Sequence, residues 1–139
     1  MDKNLQILEL DKILQMLKNE ASCDEAKERC DELRPSGDFI TGCNMLTQTE
    51  DAHSLLARFG APSFSGLRNV NGALARAAAG GALNTSELLS IAGTLRCMRI
   101  LCDWRSHFSG VNTSLDVFFN GIGVNKYMED KKFSCIISE

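Results

Sequence analysis

Apolar residues recur along this chain with a helical period almost everywhere. Leu10, Ile13, Leu14 and Leu17 stand at i, i+3, i+4 and i+7, which predicts one apolar stripe on a first helix ending near Ala21. Ser22 and Glu25 have the spacing of a capping box, a hydroxyl for the third helical N–H and a carboxylate reaching back to the cap. A second helix is predicted to run to Arg34, where the ring of Pro35 forbids continuation. Ser36 is the expected cap of a third helix, with Asp38 complementing its positive dipole end. Phe39, Cys43, Leu46, His53 and Leu56 are expected to share the apolar face of that helix. "GAPSFSG" at 60–66 reads as a loop.

The stretch "AAAGGALNTSE" at 77–87 breaks one helix and starts another. A helix from about Asn69 carries the small residues Ala73, Ala77 and Ala78, and Gly80 suits the left-handed position past its end. Asn84 and Glu87 form a second capping box. They open a long helix through about Arg105, with the stripe Leu88, Ile91, Ala92, Leu95, Met98 and Cys102. The break is expected to be a helical hairpin. No strand pattern appears before residue 130, and "KKFSCIIS" at 131–138 fits either a short strand or a helix end. The expected fold is all-α, with 1–139 as one helical domain.

Composition narrows the function classes. A net charge of −3 gives no bulk attraction to nucleic acid or anionic lipid. The charge is uneven, with 12 acids and 7 bases in residues 1–60 against 6 acids and 8 bases in 61–139. The six cysteines include no CxxC pair, and charges within the first twelve residues argue against a signal peptide. No apolar run is long enough to span a membrane. The expectation is a cytoplasmic chain whose cysteines are reduced, small apolar residues.

"LELDKIL" (8–14), "LRPSGD" (33–38), "TEDA" (49–52), "GLRNV" (66–70) and "GGALNTSELLSIAGTLR" (80–96) occur in that order, and together they resemble the N-terminus of the bacterial clade-two MutS family. Asn69 stands where that family usually has aspartate, and Thr85 where proline is common. The resemblance implies an all-helical core and lever region joined to an ATPase domain, a coiled-coil clamp and a nuclease-like domain. It further implies action on branched DNA, suppression of recombination, and rescue of stalled ribosomes. ATP and magnesium would then serve the longer protein. This chain holds no GxxxxGK[ST] phosphate loop, so no cofactor, metal or catalytic residue is expected within it, and it reads as an N-terminal piece.

Other chemistry is weighed residue by residue. His53 and His107 are expected to be structural, although Cys43 near either would make a nucleophile–base pair. Cys97 and Cys102, five apart on a helix, point about 140° away from each other and are poor co-ligands. Arg68, Arg76, Arg96, Arg99 and Arg105 form the candidate nucleic-acid face, against the simpler reading of solvated or ion-paired arginines. Trp104 could stack on a base or anchor a core. The apolar residues of 115–137 point to self-association, expected as a homodimer. The alternative to the MutS-like reading is an independent helical adapter that binds a partner protein.

Overall fold

The structure, a computed structural model, describes residues 9–123; the 131–138 segment lies outside them. The described residues form six α-helices and no strand, so the fold is all-α. They fall into two compact units, divided after Pro35.

The first unit is a pair of packed helices, α1 (Leu10–Glu20) and α2 (Asp24–Glu32). Leu10, Leu14 and the stem of Lys18 are half-buried, while Ile13, Met16 and Leu17 stay exposed. The contact stripe is therefore narrower than the i, i+3, i+4 pattern suggested. Lys18 bridges to Asp31 across the pair, and Cys30 is buried between the helices' flanks. The Ser22–Glu25 capping box does not form. Cys23 is the cap residue and α2 starts at Asp24, which moves Glu25 to the second helical position, out of reach of the cap. The helix stops at Glu32, two residues before the expected end. Arg34 folds back and donates to the carbonyls of Asp31 (2.8 Å) and Leu33 (2.6 Å), which the helix end leaves without partners.

The second unit holds α3 (Phe39–Phe59), α4 (Asn71–Ala78), α5 (Thr85–Ser106) and the short α6 (Asp116–Asn120). Asp38, rather than Ser36, caps α3. Its carboxylate accepts from the Thr41 amide (2.8 Å) and hydroxyl (2.5 Å), and these bonds hold it below the usual carboxylate pKa. Ser36 serves one step earlier, its hydroxyl accepting from the Asp38 amide (3.2 Å). The face of α3 that meets its neighbours carries Gln48, Asp51, Ala52, Leu55 and Phe59, not the predicted stripe. Phe39, Cys43, Leu46, His53 and Leu56 are all exposed, with Phe39 at 83% and Leu46 at 71%. The reason lies at the end of the helix, where Phe59 stacks on Phe108 with centroids 4.0 Å apart and so sets which side of α3 faces inward.

Between α4 and α5 the glycine and capping readings hold, but the expected hairpin does not form, because the two helices do not pack along each other. Gly80 has φ +84, and Gly81 donates to the Arg76 carbonyl (2.9 Å). Both arms of the Asn84–Glu87 capping box are present, at 2.9 Å each. Arg76 crosses the turn to pair with Glu87, and this bond leads in holding the Glu87 pKa low. The buried residues of the unit are Leu55, Ile91, Ala92, Thr94, Cys97, Leu101 and Phe108, five of them on α5. Trp104 packs edge-on against Phe108 (4.6 Å) and near Phe119 (6.2 Å), which makes it a core anchor.

Candidate nucleic-acid interface

One side of α5 is shaped to receive the loop that precedes α4. Gly66 lies so close to the helix that a Cβ there would stand 2.9 Å from the Gly93 carbonyl, and a Cβ on Gly93 would stand 3.3 Å from the Gly66 carbonyl. Both positions need glycine for backbone approach. One turn of α5 supplies the polar fastening. The buried Thr94 hydroxyl accepts from the Arg68 amide (3.2 Å) and donates to its carbonyl (3.3 Å). The Cys97 thiol donates to the Ser63 carbonyl (3.5 Å). Gly93, Thr94 and Cys97 therefore hold residues 63–68 in place from beneath.

Two concave spaces flank this crossing. One, of about 380 Å³, is lined by Ser63, Ser65, Arg96 and Ile100 beside Gly66, Gly93 and Cys97. The other, of about 300 Å³, is lined by Arg68, Ser86, Leu89 and Ser90 beside the same two glycines. Each holds one arginine and two serines and no carboxylate.

The five candidate arginines separate sharply in this setting. Arg105 is committed to the fold, and its side chain is only 12% exposed. Its Nε (2.9 Å) and Nη2 (2.5 Å) bind Asp116, while Nη1 and Nη2 reach the carbonyls of Phe108 (2.9 Å) and Val111 (2.6 Å). Four of the five guanidinium donors are used, which leaves little for a ligand. Arg76 pairs with Glu87 and also reaches the Ala82 carbonyl. Arg99 pairs with Asp103 at 3.3 Å. Arg68 and Arg96 are exposed and have no carboxylate partner among the described residues, although Arg68 Nη1 donates to the Leu67 carbonyl (2.9 Å). They are also the two arginines that line the concave spaces.

Local charge reinforces the distinction. Residues 61–110 carry five arginines against two carboxylates, Glu87 and Asp103, and both carboxylates are paired. Sequence reasoning named Arg68 and Arg96 but missed the serines beside them. The signal available was Ser63-x-Ser65 in the loop and Ser86 with Ser90 one helical turn apart. Cys43 and His53 do not pair: they lie ten residues apart on one helix, about 15 Å along its axis. His107 Nδ1 donates to the Asp103 carbonyl at 2.6 Å. Among the described residues no group of three or more His, Cys, Asp or Glu is placed to hold a metal ion, and no helix is long and apolar enough to cross a membrane.

No family model matches this chain. Curated relatives do. The chain is 40% identical over 139 residues to the endonuclease MutS2 of Agathobacter rectalis, an alignment covering 99% of this chain and 18% of that protein. It is 34% identical to the endonuclease MutS2 of Ruminiclostridium cellulolyticum and 30% identical to that of Clostridioides difficile, with the same two coverages. The chain thus spans less than a fifth of the length of the relatives it matches.

Proposed function

We propose that this chain, which matches the N-terminal region of MutS2 proteins, is the non-catalytic helical core of a MutS2-like protein acting on DNA or the ribosome in the cytoplasm. The observation that carries this reading is the similarity across 99% of the chain to proteins named as endonucleases. The two arginines without a carboxylate partner, each lining a concave space that holds no carboxylate, support it, because nucleic-acid affinity follows the number of phosphates neutralised.

The residues present do not fit ATP with magnesium. The Gly80–Gly81 turn leads into α5 with no lysine to follow, and the Asn84 side chain already takes the Glu87 amide at that helix start. In this reading ATP and magnesium are bound by other parts of a longer protein, and this segment positions rather than reacts. A homodimer would draw on exposed apolar residues such as Val117 and Phe118.

Fluorescence anisotropy with a labelled four-way DNA junction and a ribosomal-RNA hairpin tests the reading. Binding to at least one of them, weakening as salt rises, is the expected result. No binding to either at 50 mM salt would overturn it. The second reading, a helical adapter, is favoured by the exposed apolar face of α3 around Phe39, Ile40 and Leu46. Loss of a protein partner on Leu46→Lys, with nucleic-acid binding absent throughout, is the outcome that reading requires.

A further inference from the structure

Resting on the nucleic-acid reading above, we infer that the Gly66–Gly93 crossing is a saddle over which a sugar–phosphate backbone passes, with one phosphate held on the Arg68 side and another on the Arg96 side.

The chemistry of the lining selects this ligand. Each concave space offers a guanidinium, whose planar fork suits a phosphate oxygen pair, next to one serine hydroxyl proton not used elsewhere. That proton is on Ser86 on the Arg68 side, where Ser90 donates to the Ser86 carbonyl (2.9 Å), and on one of Ser63 and Ser65 on the Arg96 side, where the two hydroxyls share one bond (3.0 Å). A protein carboxylate could use the arginines, but not two hydroxyl-flanked sites in series as well as an extended polyanion does. The crossing itself is close-packed: the positions where Gly66 and Gly93 lack a Cβ face each other's backbone, which lets the loop sit down on α5 with one concave space directly on either side of it.

The site is also prearranged. Thr94 fixes both backbone polar groups of Arg68, and Arg96 projects from the middle of α5. The α5 residues that line the two spaces run from Ser86 to Ile100. Fourteen residues of helix rise span roughly 21 Å, enough to face more than one phosphate of an extended strand. Leu89 and Ile100 give each end an exposed apolar surface for sugars.

The test is anisotropy of a labelled 20-nucleotide oligo(dT) titrated with the chain between 50 and 300 mM salt. Arg68→Gln/Arg96→Gln is compared with Arg58→Gln/Arg99→Gln, which removes the same charge elsewhere. The expected result is at least a tenfold loss of affinity at 50 mM salt for the first pair. Its salt slope should fall by about 1.4, two phosphates at roughly 0.7 each for a single strand. The second pair should stay within about threefold of the parent. Melting curves should show both variants folded, since the replaced side chains are not buried. Inorganic phosphate at matched ionic strength should fail to displace the oligonucleotide; displacement at millimolar concentration would mean separate anion sites and overturn the saddle. If the parent chain binds oligo(dT) and Arg68→Gln/Arg96→Gln binds it equally, the inference falls while the nucleic-acid reading stands. If the parent binds neither this probe nor the junction and hairpin, the reading itself falls and takes the inference with it.

Discussion

α3 and α5 are helices of nearly equal length, 21 and 22 residues, with opposite relations to their surroundings. α5 buries Ile91, Ala92, Thr94, Cys97 and Leu101, and receives a loop on one side and aromatic rings at its end. α3 buries Leu55 alone and leaves Phe39, Ile40, Met45, Leu46 and Leu56 to solvent. Their starts are equally well made. Asp38 caps the start of α3 and Asn84 the start of α5, each through its own side chain, while Gly60 with positive φ closes α3 and His107 in a right-handed conformation closes α5. The difference therefore lies in packing, not in local helix chemistry. Residues 39–49 contain no charge, so the exposed half of α3 also lacks the ion pairs that stabilise a solvated helix.

The contrast can be broken by mutation. Leu101→Ala on α5 should cost about 2–5 kcal/mol in urea unfolding, the range for truncating a buried leucine. A cost under about 1 kcal/mol would mean that α5 is not the centre of the core. Next come the two helix ends. Gly60, with φ +77 and ψ 167, sits in backbone territory that side chains avoid, so Gly60→Ala should cost about 1–3 kcal/mol. Gly80→Ala should cost about 1 kcal/mol, because Gly80 is left-handed with open space around its Cα. A rise in melting temperature for either would show an ordinary helical conformation there.

Acid should weaken the contact between α3 and the α5 end. Asp51 is held below its usual pKa chiefly by the Ser114 hydroxyl and amide, and Asp116 by the Thr113 amide and then Arg105. Depressed carboxylates stabilise the fold above their unfolded pKa near 3.9, and the contribution is lost as pH falls through the native values. Melting temperature should thus be flat above about pH 5 and drop below about pH 4. Replacing Asp51 by Asn should shrink that drop. The smallest effect is expected for Leu46→Ala, within about 0.5 kcal/mol, since 71% of Leu46 is already in water. A loss as large as that of Leu101→Ala would show that α3 has a partner in solution.

Legibility in the sequence followed the range of the interactions. The Asn84–Glu87 box and the left-handed Gly80 need only three or four consecutive residues, and both were readable. The α2 start failed by one residue, which was enough to undo the Ser22–Glu25 box. The inward face of α3 was misread because two sides of that helix are apolar, and a ring stack 49 positions away along the chain chooses between them. Thr94 was invisible as a core position because its burial depends on the Arg68 backbone, 26 residues earlier. The arginine row was legible as a row. Sorting it into members with and without a carboxylate partner required knowing where Asp116 and Glu87 fold back, which periodicity does not carry.

The two hydrogen bonds from Ser114 to Asp51, both 2.7 Å, join residues 63 positions apart, whereas Arg105 finds Asp116 only 11 positions away. Chain-closure entropy makes the longer loop more expensive by about 1.5 kcal/mol, from (3/2)RT ln(63/11). The tight corner around Arg105 can thus assemble early and wait, while the link to α3 closes late. By the same accounting it opens first. α3 then behaves as an arm held by one carboxylate, one ring stack and the buried Leu55, able to detach from the unit without unravelling α5. Amide exchange should register this as a low-energy opening of α3 separate from global unfolding.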